Sequence, residues 1–375
     1  MFDLNSFGTK LHRLRIQLEY SYEDISISTG LQTGRLQTLE EGKTEPTGDE
    51  ILILADFYMQ DYKYFISNEQ HSASENTEVL FRKFGTEFTK HDRRSIQEFL
   101  YLCECEQDIW NILEIPHKTF VPEKLRNKYR DQGEHAGKSL RNILGYGDNH
   151  IITNIYSEFR KIGIHIFRRK LDNSDISGLF IKHPTAGNCV LVNYNEDLYR
   201  QNFTVAHEVG HALFDTNDAF NISFNGDERD DRETRANYFA ASFLMPAQSL
   251  QKQRDWNYNN LLVISEQLRV NPIALLIRLK SLNIITQYQV NDLKRTKIPQ
   301  YNKSDPELEG LTEKQRMNKI EILKMGLSTS YVRNCHDAYM EKKISRARLA
   351  EMLLTNELRL IEILGLFNLK LVHEY

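Results

Sequence analysis

The sequence predicts an α+β protein that is mostly helical, and three observations carry the prediction. Apolar residues recur at helical spacing through 7–66, through 79–145 and again from 263 toward the C-terminus. Residues 164–195 break that rhythm with short β-branched runs, enough for a small sheet and no more. The composition, 40% hydrophobic and 27% charged, is that of an ordinary globular chain, and 375 residues give room for roughly two or three domains.

Several classes are set aside by the same composition. No apolar run approaches the length of a membrane span. The start, "MFDLNSFGTKLHRLR", lacks the charged-then-apolar order of a signal peptide, so a cytoplasmic protein is expected. Cys103, Cys105, Cys189 and Cys335 are too few and too unevenly spaced for a disulfide framework. A net charge of −4 offers nothing for wholesale nucleic-acid binding, so any DNA contact must come from a local patch.

Residues 1–66 read as a helical module. Phe7, Leu11, Leu14 and Leu18 share one helix face. Ser21 before Tyr22-Glu23-Asp24 is an N-cap with acidic first-turn residues, and Gly30 suits a tight turn between two short helices. A fourth helix follows, with Ile51, Leu52, Leu54, Ala55 and Phe57 expected inward. The residues Leu14, Arg15, Ser21, Ile25, Gly30, Leu31, Leu36, Leu39, Glu40, Gly42, Lys43 and Pro46 resemble the helix-turn-helix domain of the phage-repressor (Xre/Cro) family. That resemblance implies a reading helix from about Gln32 to Leu39, with Gln32, Thr33, Arg35, Gln37 and Thr38 facing DNA. Tyr22 stands where the family usually has glutamine. Six Lys/Arg against eleven Asp/Glu give residues 1–66 a balance of −5. A helical interaction module without DNA therefore stays open.

Residues 67–78, "SNEQHSASENTE", read as a polar linker, and 79–149 as a helical connector punctuated by Pro116, Pro122 and Gly133. Residues 150–298 form the chemically informative region. "IITNIYSEFRKIG" is a helix ending at Gly163. "IHIFRRKL", "SGLFIK" and "NCVLVNYN" are strands, the last two joined by the hairpin loop "HPTAG".

"NFTVAHEVGHALFD" (202–215) then places His207 and His211 on one helix face, with Glu208 turned a third of the way round. Zinc needs imidazole nitrogens in such an arrangement, and positions i and i+4 deliver two. Glu208 can take a proton from a water in the open position of a hydrolytic site. Gly210 is small where a facing chain must approach. Two buried imidazoles and a carboxylate would be costly without a metal. The third ligand is expected on the following helix, "DDRETRANYFAASFLMP" (230–246). Glu233 is favoured there, with Asn237 one turn on to orient a histidine. Glu228, Asp230 and Asp231 are rivals in a polar loop.

"RQNFTVAHEVGHALF" and "RETRANYFAASFLMP" together resemble the ImmA/IrrE family of zinc metallopeptidases (DUF955) across roughly 150–280. The resemblance implies a gluzincin-like fold, zinc (or manganese) on His207, His211 and Glu233, and Glu208 as base. Arg235 replaces a common family glutamate, but the Glu-x-x-x-Asn spacing points to Glu233. A helix-turn-helix followed by this peptidase is a common order in the family. It implies cleavage of a protein, a helix-turn-helix repressor, under stress, and hence relief of transcription. "NCVLVN" or "SGLFIK" is expected to pair an extended substrate by β-addition. The other reading is a DNA-binding regulator whose metal domain senses a ligand without cutting.

"VISEQLRVNPIALLIRLKSLNII" (263–285) adds a helical pair, with Leu275, Leu276 and Leu279 in the core. Residues 299–375 are a helical C-terminal region, Leu349, Met352, Leu353 and Leu360 inward, with a docking or homo-oligomer surface as its expected role.

Overall fold

The computed structural model describes residues 2–67, 73–123, 125, 128–215, 218–224, 230–299 and 303–371. They form a mostly helical α+β protein with one four-stranded mixed sheet. The chain divides into two compact units. The first is Met1–Glu104 with Leu171–Asn173 and His183–Thr185, and the second is the remainder. The division falls within helix α7 (Lys90–Ile112), so the 79–149 stretch is shared between both.

The first unit opens with helices α1 (Leu4–Gln17), α2 (Tyr22–Thr29), α3 (Thr33–Glu40), α4 (Gly48–Tyr58), α5 (Tyr62–Ile66) and α6 (Ala73–Phe84). Ser21 and Asp24 close a capping box on α2, and Thr47 and Glu50 close one on α4. Gly30 ends α2 at φ 75°, a left-handed position that a side chain would strain. Phe7, Leu11, Leu14, Leu18, Ile25, Leu36 and Leu39 fill the core, as their spacing predicts. In α4 the expected inward set needs one correction. Leu52 is 55% exposed and Tyr58 is buried, because the buried stripe runs 51, 54, 55, 58 and Leu52 falls off it. Part of the 67–78 stretch is helical, since α6 begins at Ala73. Residues 68–72 lie outside the described residues.

The second unit contains α8 (Tyr129–Leu144), α9 (Ile155–Arg160), the strands β1 (His165–Arg169), β2 (Ile176–His183) and β3 (Gly187–Asn193), α10 (Leu198–Phe214), β4 (Phe220–Phe224) and α11 (Asp231–Leu244). Then follow α12 (Ala247–Gln251), α13 (Tyr258–Leu268), α14 (Pro272–Ser281), α15 (Gln287–Leu293), α16 (Glu313–Lys324), α17 (Thr329–Met340), α18 (Arg346–Met352) and α19 (Leu360–Leu366). Among the described residues no single helix is long and apolar enough to cross a membrane.

The sheet order is β1-β3-β2-β4. β1 runs parallel to β3, from His165 opposite Cys189 to Arg169 opposite Asn193, while β2 and β4 are antiparallel. This corrects the expected docking strands. Both "SGLFIK" and "NCVLVN" are interior, paired on each side, and the edges are β1 and β4. "FNISF" was missed as a strand, although Phe220, Ile222 and Phe224 alternate.

α11 packs against both α8 and α10, and two glycines of α8 permit its close approach to α11. A Cβ on Gly133 would stand 2.2 Å from the Arg235 carbonyl oxygen, and one on Gly137 would be 2.8 Å from that of Phe239. Leu275, Leu276 and Leu279 are buried as expected, and so are Leu349, Met352, Leu353 and Leu360.

Candidate metal centre

Local signals set α10 before any packing. The Asp197 carboxylate accepts from the backbone N–H of Tyr199 and Arg200 at the helix start. Val205, Ala206, Val209 and Ala212 occupy the core stripe, which leaves His207 and His211 on the stripe beside it. Gly210 meets α11, where a Cβ would come within 3.0 Å of Ala236 Cα. The missing side chain lets the two helices touch.

Contact with α11 brings Glu233 onto the histidines. His207 Nε2 lies 3.0 Å from Glu233 Oε2, His211 Nε2 lies 3.1 Å from Glu233 Oε1, and the two Nε2 atoms are 3.1 Å apart. One donor atom from each residue thus falls within 4.8 Å of the others. The remaining ring nitrogens are engaged from behind. His207 Nδ1 donates to Asn237 Oδ1 at 2.9 Å, and His211 Nδ1 donates to Asp215 Oδ2 at 2.8 Å. With Nδ1 committed to an oxygen on each ring, the Nε2 lone pairs turn toward one point. Two such nitrogens and a carboxylate are the donor set that zinc takes in hydrolytic sites, so the residues fit a metal.

Without a metal these groups hold protons for one another. Burial works against charge on His211, but Asp215 and Glu233 outweigh it and push the imidazole up to about 10. Burial likewise opposes charge on Glu233, while hydrogen bonds from His207 and His211 hold its carboxyl well below the usual range.

Glu208 is fully buried on the next face of α10, and neither carboxylate oxygen has a hydrogen-bond partner among the described residues. Such an orphaned group is costly unless something polar occupies the space beside it. Burial pushes its carboxyl upward, with His207, His211 and the nearby Ser223 hydroxyl pulling the other way. Gly178 of β2 makes room for it, since a Cβ there would be 3.2 Å from Glu208 Cγ. Ser223 of β4 is the cross-strand neighbour of Gly178.

Of the rivals to Glu233, Asp230 instead caps α11, accepting from the Arg232 N–H, Asp231 is exposed, and Glu228 lies outside the described residues. Asp215 and Gly178 were not singled out in the sequence. Asp215 carried a signal, four residues beyond His211 on the same face. Arg235, which departs from the family pattern, reaches Asp215 and packs over the Phe214 ring.

In the first unit, Gln32 and Gln37 are exposed and Thr33 is half-exposed. Thr38 donates to the Arg35 carbonyl at 2.9 Å. Arg35 is held by both oxygens of Glu50, at 2.7 and 2.8 Å, and donates to the Glu45 carbonyl at 2.8 Å. Its charge is neutralised within the unit. Tyr22, the other departure, lies under the Arg15 guanidinium at 4.3 Å, while Arg15 grips Glu40 through two 2.8 Å hydrogen bonds.

Residues 159–280 match the model of the peptidase M78 family, described as an IrrE N-terminal-like domain. The matched span runs from the end of α9 into α14 and holds His207, Glu208, His211, Glu233 and Asn237. No curated protein matches the chain. The span is similar to the peptidase domains of that family.

Proposed function

We propose that this protein is a metal-dependent, site-specific endopeptidase acting on a protein substrate, with zinc as the metal (manganese the alternative). The observation that carries the reading is the convergence of His207, His211 and Glu233 beside a buried, unpartnered Glu208. When bound, the metal supplies Lewis-acid activation of a water and of the scissile carbonyl. His207, His211 and Glu233 hold it. Asn237 and Asp215 fix the ring tautomers that ligation needs. Glu208 takes a proton from the attacking water and passes it to the leaving amine, a transfer favoured by the burial that raises its carboxyl.

The substrate follows from the same reading. β4 is a sheet edge, and its Ser223 is the cross-strand neighbour of Gly178, which makes room for Glu208. An extended polypeptide adding to β4 by backbone pairing would run past the centre. The resemblance to ImmA/IrrE proteins makes that polypeptide a helix-turn-helix repressor whose cleavage relieves transcription. Residues 1–66 would bring the enzyme to DNA or to a DNA-bound partner. The paired state of Arg35 favours the protein partner.

The test is to compare new protein N-termini in cells expressing the wild type and Glu208→Gln at equal levels. A small set of cleavages specific to the wild type, within a DNA-binding protein, is expected. Identical N-terminal profiles with an intact transcriptional response would give the protein over to the non-cutting regulator.

A further inference from the structure

Glu208 shares its condition with two residues of β4. Asn221 Nδ2 and Ser223 Oγ are also buried without a hydrogen-bond partner among the described residues. A buried donor left unpaired is costly, and such a group calls for a partner from outside the chain. The strand register puts both residues on the face that α10 covers. Asn221 stands opposite Phe180 and Ser223 opposite Gly178. Phe180 packs in one core with Val205 and Val209 of α10. A Cβ on Gly178 would meet Thr204 at 2.8 Å and Glu208 at 3.2 Å. Ile222, between the two polar residues, turns to the opposite face with its partner Leu179, and both are buried.

The height of Asn221 along α10 follows from the strand directions. Asn188, near the start of β3, donates to the Ala212 carbonyl at 3.4 Å. Gln201 donates at 3.0 Å to the carbonyl of Tyr194, just past the end of β3. β3 therefore runs against α10, and β2, its hairpin partner, runs with it. Gly178 lies between Thr204 and Glu208. Two further strand residues span about 6.8 Å, or roughly four to five helical residues, so Asn221 stands about level with His211. β4 is also the open edge of the sheet among the described residues. At the other edge the Lys170 N–H donates to the Lys324 carbonyl at 3.0 Å, and Arg169 donates to that of Met325 at 2.8 Å. The C-terminal region thus covers β1.

A polypeptide paired to β4 keeps its ladder carbonyls in the plane of the sheet, out of reach of a side chain that stands off that plane. The carbonyl to be attacked has to leave the plane toward α10, where Glu208 lies. That is the face on which Asn221 carries its amide. We infer that Asn221 is a further catalytic residue, donating from Nδ2 to the scissile carbonyl oxygen. The inference rests on the peptidase reading. The water oxygen adds to the carbonyl carbon as Glu208 takes its proton, and the carbonyl π pair moves onto the oxygen that Asn221 holds. As that pair returns, the C–N bond breaks and the leaving nitrogen takes the proton from Glu208, which gives a free acid and a free amine. A donor already in place when the charge develops needs no reorganisation, and one such donor is worth about 100- to 1,000-fold in rate.

The experiment compares the zinc-loaded full chain with Asn221→Ala and Asn221→Leu, using two probes that carry the same alanine side chains. A phosphinate tripeptide places a charged oxygen at the tetrahedral position. A mercaptoacyl dipeptide anchors through sulfur and has no oxygen there. In both variants the phosphinate is expected to bind about 100-fold more weakly, while the thiol probe stays within about threefold of wild type. Zinc content and melting temperature are expected to match wild type. Equal loss of both probes, as a purely structural role would give, or a phosphinate affinity unmoved by either variant would overturn the inference. Cleavage is read separately. A wild type that cuts protein but holds the phosphinate without regard to Asn221 removes the inference alone. A wild type that neither cuts nor prefers the phosphinate removes the peptidase reading, and the inference with it.

Discussion

Asp215 holds His211 Nδ1 at 2.8 Å with one carboxylate oxygen and receives Arg235 on the other. The residue that breaks the family pattern thus supports the imidazole from two steps away. Removing the carboxylate frees the ring to turn and weakens its Nε2 as a donor. Asp215→Ala is expected to lower zinc affinity by about 10- to 100-fold, and Arg235→Leu by less, measured by competition against a chelator. An unchanged affinity in Asp215→Ala would show that the His211 tautomer does not depend on it.

Proton release on metal binding follows from the same contact. His211 is pushed up to about 10 in the metal-free protein, above its ordinary 6.5. A group raised in the folded state stabilises the fold below pH 6.5 and loses that contribution as pH rises through about 10. Metal-free protein should therefore lose stability across that window. Zinc must displace the His211 proton, so apparent affinity should rise with pH over the same range. Calorimetry in buffers of different ionisation enthalpy checks this. A pH-independent affinity with no proton released would contradict it.

The helix that carries Glu233 depends on close approach to α8. Gly133→Ala puts a methyl group 2.2 Å from the Arg235 carbonyl oxygen, so α8 and α11 must separate. A loss of about 1–3 kcal/mol in stability is expected, with weaker zinc binding because Glu233 travels with α11. Urea unfolding and metal titration of the same variant read both. Wild-type values in each would mean that the helices repack without moving the ligand.

DNA binding by the full chain should be weak and strongly salt-dependent, given the −5 balance of residues 1–66. Gln37→Ala should reduce it, whereas Arg35→Ala should act mainly on stability because Glu50 already holds that guanidinium. A flat titration against mixed duplex fragments at low salt would leave residues 1–66 as a protein-interaction module.

Much of the centre was legible because its chemistry is local. His207, Glu208 and His211 sit within one helical turn, and the Glu233 to Asn237 spacing repeats that logic on α11. What escaped was set by tertiary placement. The crossover that puts β3 between β1 and β2 buries both expected docking strands, and alternation alone cannot rank strands in a sheet. Gly178 acquires meaning only when Glu208 is laid over it. Tyr58 and Leu52 exchanged places because the stripe in α4 begins at Ile51.

Glu208→Gln tests the central claim most directly. The glutamine keeps the shape of the buried side chain and removes only its capacity to take a proton. Zinc content by elemental analysis and cleavage of the wild-type substrate are measured on the same preparation. Occupancy and melting temperature close to wild type, with cleavage reduced by about 100-fold or more, are expected. Undiminished cleavage by a zinc-loaded Gln variant would contradict the assignment of Glu208 as the base, and with it the account of how this centre works.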